Sequence, residues 1–162
     1  MPKPLVEEQL ELPDKPSIAV LPFTNMSGDP SQEYFSDGLT EQIINGLCKV
    51  SDLFVIARNS SFAYKGKAVS VKQIAKELGV RYIMEGSVQR AGDRVRITAQ
   101  LIDATTDYHM WSENYDRDLE DIFALQDDIT LRLITEMEAH LTRGEQIRLL
   151  AKAIPTNTVG EF

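Results

Sequence analysis

The chain has 162 residues, of which 43% are hydrophobic and 26% charged, a balance that suits one globular domain with tails. Its formal net charge of −8 argues against nucleic-acid binding, which needs a basic footprint. No run approaches the ~18 apolar residues of a membrane span, and the start, MPKPLVEEQLELPDKP, lacks the apolar stretch of a secretory signal, so the expectation is a soluble cytoplasmic domain with no membrane partner.

Residues 1–16 carry Pro2, Pro4, Pro13 and Pro16 among acidic residues and read as an extended linker. A linker there implies a preceding segment in a longer protein. Ser17 to Phe23 is a continuous apolar run, as in a strand buried on both faces, and Pro22 ends its ladder. The loop TNMSGDPSQ follows. A helix is predicted from about Glu33 to Lys49, with Phe35, Leu39, Ile43, Ile44, Leu47 and Val50 as its apolar stripe. Cys48 falls on that stripe and reads as a buried thiol; a lone cysteine has no internal bridge to form. Gly38 and Gly46 each weaken the helix by ~1 kcal/mol relative to alanine and leave room for a close strand.

Leu53 to Ala57 reads as a second buried strand, and Arg58 to Lys67 as a long polar connection. Ser70 and Gln73 spell a capping box; Val71, Ile74, Ala75 and Leu78 are the stripe of a short helix, and Gly79 is its stop. From Tyr82 the period changes to two. Met84, Gly86 and Val88 alternate with Glu85, Ser87 and Gln89; Val95, Ile97, Ala99 and Leu101 alternate with Arg94, Arg96, Thr98 and Gln100. Ala91-Gly92-Asp93 is the hairpin loop between them, residues 103–107 form a second turn, and Tyr108 to Tyr115 is a third strand. The alternation predicts an antiparallel meander with one wet face. The last helix is predicted from about Leu119 to Leu141, capped by Asp118, with Ile122, Phe123, Ile129, Leu133, Met137 and Leu141 inside. The order β-α-β-α-β-β-β-α gives an α/β (α+β) domain over residues 17–142, a mixed sheet of about five strands with helices packed on it. Residues 143–162 read as a C-terminal linker.

Motifs for chemistry are missing. The Asn25–Pro30 loop has one glycine and neither GxxxxGK[ST] nor GxGxxG; Asp29 and Glu33 would put negative charge where an anion would sit, so the loop reads as an Asx or β-turn. His109 and His140 have no nucleophile paired with them in sequence, and His140 suits a helix C-terminus. There is no CxxC, HExxH or EF-hand loop, and capping and solvation account for the acidic run Glu113, Asp116, Asp118, Glu120, Asp121. Trp111 and Tyr115 share one side of their strand, as core or as interface anchors. No catalytic residue, metal ligand or cofactor follows. The candidate binding surface is the second connection, where Arg58, Asn59, Ser60, Ser61, Tyr64, Lys65 and Lys67 combine donors with aromatic area.

The stretches SIAVLPFTNMSGDPSQEYFSDGLTEQIINGL and FVIARNSSFAYKGKAVSVKQIAKELGVRYIMEGSVQRAGDRVRITAQLIDATTDYHMWSENYDRDLEDIFALQDDIT resemble the TolB amino-terminal-like domain. The version they resemble most occurs in bacterial proteins described as adenylate or guanylate cyclases with tetratricopeptide repeats; the same domain also follows winged-helix regions in regulators. The resemblance covers about Lys15 to Leu141. It implies a fold like the anticodon-binding domains, an output domain before the linker, and tetratricopeptide repeats after about Pro155–Val159. Gly160-Glu161-Phe162 departs from the family and reads as a cloning remnant. It implies no catalytic residue to carry over. The expected role is therefore a non-catalytic regulatory or protein-interaction module of a cyclase-like signalling protein, with a protein partner or self-association. Alternatives are a small-molecule or nucleotide sensor, with a ligand between the Asn25–Pro30 loop and Arg58 to Lys67, and a dimerisation module or the equivalent domain of a winged-helix regulator.

Overall fold

The first strand, β1 (Ser17–Val20), is buried along its whole length, as its unbroken apolar run requires. Residues 16–140 are described by the computed structural model; the linker expectation for residues 1–16, Pro16 apart, and that for 143–162 lie outside them. After Val20 the chain stays beside the sheet. Leu21 still donates to Met84 O at 2.9 Å, Pro22 has no N–H to give, and Phe23 turns its N–H to the Thr40 hydroxyl at 3.0 Å. The chain then re-enters the sheet as β2 (Thr24–Asn25), parallel to residues 87–88. The sequence reading ended the strand at Pro22 and placed these residues in a loop. The ladder does break there, but Thr40 satisfies the buried Phe23 donor and lets pairing resume.

A 3-10 turn (Pro30–Gln32) leads into α1 (Glu33–Cys48), which buries Leu39, Ile43, Ile44 and Leu47. Cys48 is exposed, not buried. It is the last residue of the helix, where the buried stripe ends at Leu47. Gly46 admits another helix rather than a strand: a Cβ there would lie 3.2 Å from Thr130. Gly38 has nothing within 4 Å of that position.

β3 is shorter than the predicted strand, only Phe54–Val55, and Phe54 is 51% exposed because β3 is a sheet edge. Residues 58–67 are not all connection. Arg58–Phe62 forms a short helix, α2. Next, α3 (Val71–Leu78) is bounded as expected by Ser70, whose hydroxyl accepts from Gln73 N, and by Gly79 at φ 72°. The capping box is only half made, because the Gln73 amide donates to Glu77 instead.

The meander is β4 (Tyr82–Ala91), β5 (Arg94–Asp103) and β6 (Tyr108–Asp118). Ala91 pairs with Arg94, so the hairpin loop has two residues, Gly92-Asp93, rather than three. Gly92 has φ 60°, as the first position of a type II′ turn demands. A 3-10 turn (Leu119–Asp121) precedes α4 (Ile122–His140). Asp118 makes no side-chain cap; its carboxylate goes to Arg94 at 2.7 Å.

Among the described residues the sheet has six strands, in the order β3-β1-β4-β5-β6 with β2 also beside β4. β1 pairs in parallel with both β3 and β4, and β2 in parallel with β4, while β4–β5 and β5–β6 are antiparallel. One sheet face, including Ile18, Val20, Tyr82, Met84, Ile97 and Leu101, packs on α1 and α4 in a single core. Trp111 and Tyr115 belong to it, each 7% exposed, so they are core residues. On the other face α3 covers Ala19, Leu21 and Ile83. The architecture is mixed α+β, as expected, with one more strand than foreseen. Gly86 marks its tightest point: a Cβ there would stand 2.2 Å from Thr98 O and 2.8 Å from the Phe23 ring.

Candidate functional site

β1 is where the chain reverses its direction of travel across the sheet. One crossover leaves it for β3, and the next returns past it to β4. Open α/β sheets bind ligands at the carboxyl ends of strands flanking such a reversal. A cleft of about 380 Å³ lies there. Its floor is apolar, with Leu21, Pro22, Phe23, Val69, Val71 and Ile74. Its rim carries Asn25, Glu33, Tyr64, Lys65, Lys67 and Glu85.

Three of the seven predicted site residues, Tyr64, Lys65 and Lys67, therefore line the cleft. The other four sit on α2 outside its lining. Arg58 stacks over the Phe62 ring at 4.0 Å and pairs with Glu41 at 2.9 Å. Asn59 approaches Arg58 at 3.4 Å, Ser60 is exposed, and the buried Ser61 hydroxyl donates to Arg58 O at 3.1 Å. A helical turn splits the segment and aims its two halves differently. Glu33 and Glu85, absent from the predicted set, come from other elements. Glu33 carried a signal, as the acid beside the opening loop; Glu85 is an ordinary strand residue in sequence.

Two rim residues, Lys65 and Tyr64, are held by carboxylates. Lys65 Nζ stands 2.7 Å from Glu33 Oε2 and 2.7 Å from both Asp37 oxygens. Burial by itself would lower the Lys65 pKa, but the bonds to Asp37 and Glu33 hold it above the usual lysine value. Lys65 in turn holds the Glu33 carboxyl below the usual range. The Tyr64 hydroxyl donates to Glu77 at 2.5 Å, which raises the Tyr64 pKa and lowers that of Glu77. Asp37 and Glu33 thus occupy the lysine that an anion would need, and the cleft has no excess positive charge for a nucleotide.

The opening loop is a built turn. Asn25 accepts from Ser27 N at 2.9 Å and donates to Asp29 O at 2.9 Å; Asp29 accepts from Ser31 N at 3.0 Å. The Ser31 amide holds the Asp29 pKa down, so a carboxylate of the chain itself sits at the 3-10 N-terminus. Ser27 accepts from Arg90 N at 2.9 Å and ties the turn to β4.

A second polar cluster escaped sequence reading. Asp103, 1% exposed, accepts from Thr105 Oγ1 at 2.6 Å and from Arg81 at 3.2 and 3.3 Å, and lies 3.0 Å from His140 Nε2. It joins the end of α4 to the start of β4. Tyr82 lies beneath, edge-on to His140 at 5.7 Å, its hydroxyl buried without a hydrogen-bond partner and its pKa pushed by burial to about 12. Asp103 read as a turn residue and His140 as a helix-end cation. Only the fold brings them together. Among the described residues no group of three or more His, Cys, Asp or Glu side chains is arranged to hold a metal ion, and no helix is long and apolar enough to cross a membrane.

The family model of the HilA/YgeH-like transcriptional regulator second domain matches residues 14–132. The chain belongs to that family. A curated relative, putative adenylate cyclase 3 of Rhizobium meliloti (strain 1021), is 62% identical over 138 residues, 85% of this chain but 24% of that protein. The chain thus spans about a quarter of the length of that relative. Among solved structures, TolB from Acinetobacter baumannii has a TM-score of 0.56 at 15% identity, over 76% of this chain and 28% of TolB. Lipoprotein GNA1162 from Neisseria meningitidis has a TM-score of 0.53 at 16% identity, over 74% of this chain and 96% of the lipoprotein. At such identities the likeness is one of fold alone, and in that sense the TolB resemblance holds.

Proposed function

We propose that this chain is a non-catalytic regulatory module of a longer cytoplasmic signalling protein, acting through protein contacts. One observation carries the reading: at the cleft at the sheet reversal, where this architecture places chemistry, Lys65 and Tyr64 are each held by carboxylates of the chain itself. Lys65 is shared by Glu33 and Asp37, and Tyr64 is held by Glu77. Two comparisons support it. The family is defined as the second domain of transcriptional regulators, and the curated relative carries the name of an adenylate cyclase while this chain matches only 24% of its length. A module found with two kinds of output fits regulation better than catalysis. In this reading the parent is a cyclase, with tetratricopeptide repeats following the module, and the winged-helix regulator is the alternative parent. The test compares cyclic AMP formation by the full-length Rhizobium relative with and without the segment matching residues 17–140. The reading expects output to change on deletion. Unchanged output would overturn it.

A small neutral or zwitterionic ligand in the cleft is a second reading, favoured by its apolar floor and balanced rim. A thermal-shift screen checks it: a ligand at about 100 times its dissociation constant adds ~2.7 kcal/mol of stability.

A further inference from the structure

Among the described residues β6 pairs only with β5, which leaves an eleven-residue strand with a free edge. Such an edge is a template for another strand. The register shows which backbone groups it offers. Leu119 N donates to Asp93 O at 2.7 Å, and the ladder pairs Arg117 with Val95, Tyr115 with Ile97 and Glu113 with Ala99. Hydrogen-bonded and non-hydrogen-bonded pairs alternate along an antiparallel ladder. Glu113, Tyr115 and Arg117 therefore exchange their bonds with β5. Ser112, Asn114, Asp116 and Asp118 turn their N–H and C=O groups outward, and all four are exposed.

We infer that a second copy of this chain pairs antiparallel with the outer edge of β6, about a two-fold axis at Tyr115, to give one continuous sheet. The inference rests on the contact-module reading for its purpose, but its test reads oligomeric state rather than output. Charge complementarity selects both the occupant and the register. A two-fold at Tyr115 places Glu113 opposite Arg117 twice, Asn114 opposite Asp116 twice and Ser112 opposite Asp118 twice. Every one of these is an ion pair or a donor facing an acceptor, and Trp111 meets Leu119 at the ends. Neighbouring registers of the same parity fail. Centred on Asp116, the pairing opposes two aspartates; centred on Glu113, two glutamates; centred on Asn114, it sets Asp118 against Met110. Like charges directly opposite destabilise a strand pair. Asp116 is held from behind by Arg94 and Arg96, each at 3.0 Å, so its carboxylate is fixed on the face where Asn114 of the second copy would donate. The Arg117 guanidinium lies over the Tyr115 ring at 5.4 Å, which keeps it at the axis.

Sedimentation equilibrium of the whole chain tests this. The wild type is expected to dimerise. Arg117→Glu opposes glutamates and Glu113→Arg opposes arginines, and each is expected to raise the dimer dissociation constant ~10-fold or more. An equimolar mixture of the two variants restores both ion pairs and is expected to dimerise again. Glu113 also accepts from Trp111 Nε1 at 3.3 Å, so circular dichroism and melting check that each variant folds. Amide exchange on the wild type needs no variant: Ser112, Asn114, Asp116 and Asp118 are expected to slow as concentration rises. A chain that stays monomeric, a dimer untouched by both variants, or outward amides that exchange alike at all concentrations would each overturn the inference.

Discussion

Asp103 shows how one residue's surroundings set the pH response of the fold. Burial pushes its pKa up, but the Thr105 hydroxyl and the Arg81 guanidinium outweigh burial and hold it below the usual value. A depressed folded-state pKa contributes stability that is present above the unfolded value of about 3.9 and is lost as pH falls through the folded one. Stability should therefore drop as the medium is acidified below about pH 4. Asp103→Asn should cost ~2 kcal/mol at pH 7, by leaving Arg81 and His140 short of an acceptor, and should flatten part of the acid loss. Urea unfolding of both proteins at pH 7 and pH 3 measures it; parallel losses on acidification would show that Asp103 is not the sensitive group. Residue identity made little of this legible. Asp103 belongs to a turn in sequence, and nothing there joins it to a histidine 37 positions later. The Asx turn of the opening loop was legible, because Asn25 and Asp29 make bonds to near neighbours.

At the scale of elements, periodicity decided what could be read. α1, α3 and the three strands of the meander repeat often enough to state which face is buried. β2 and α2 are two and five residues long, and neither completes a repeat. β2 exists because Thr40 receives the Phe23 amide, a contact across 17 residues. The stripe of α4 was half legible. Ile129, Leu133 and Met137 are buried as expected and Ile122 packs partly buried against the core, but Phe123 is 73% exposed and Leu125, not foreseen, is buried; Leu141 lies outside the described residues. The helix begins one turn later than its capping signal suggests, after the 3-10 turn, and Phe123 lies about 200° from Leu125. Two substitutions separate these readings. Leu133→Ala should destabilise by ~2–5 kcal/mol, since it empties part of the core between α4 and the sheet. Phe123→Ser should stay within ~0.5 kcal/mol of wild type. Equal losses in chemical denaturation would put Phe123 inside.

The whole molecule is a sheet covered unevenly. α1 and α4 close one face and α3 part of the other, while the rest of that second face is a polar lattice, including Gln100 to Glu85 at 3.0 Å and Thr98 to Asn114 at 3.0 Å. The mixed architecture was legible from the change of hydrophobic period at Tyr82. The cleft was legible only as a juxtaposition of two loops, because its charge balance depends on Asp37 and Glu85, which arrive from a helix and a strand. That balance and the open β6 edge are the features on which the proposed contact role rests. The most direct measurement is cyclic nucleotide formation by the purified chain alone, at high concentration, with ATP or GTP and Mg²⁺ or Mn²⁺. The account predicts no product above a protein-free control. Cyclic AMP or cyclic GMP that follows the chain through purification and disappears in Lys65→Ala would contradict it.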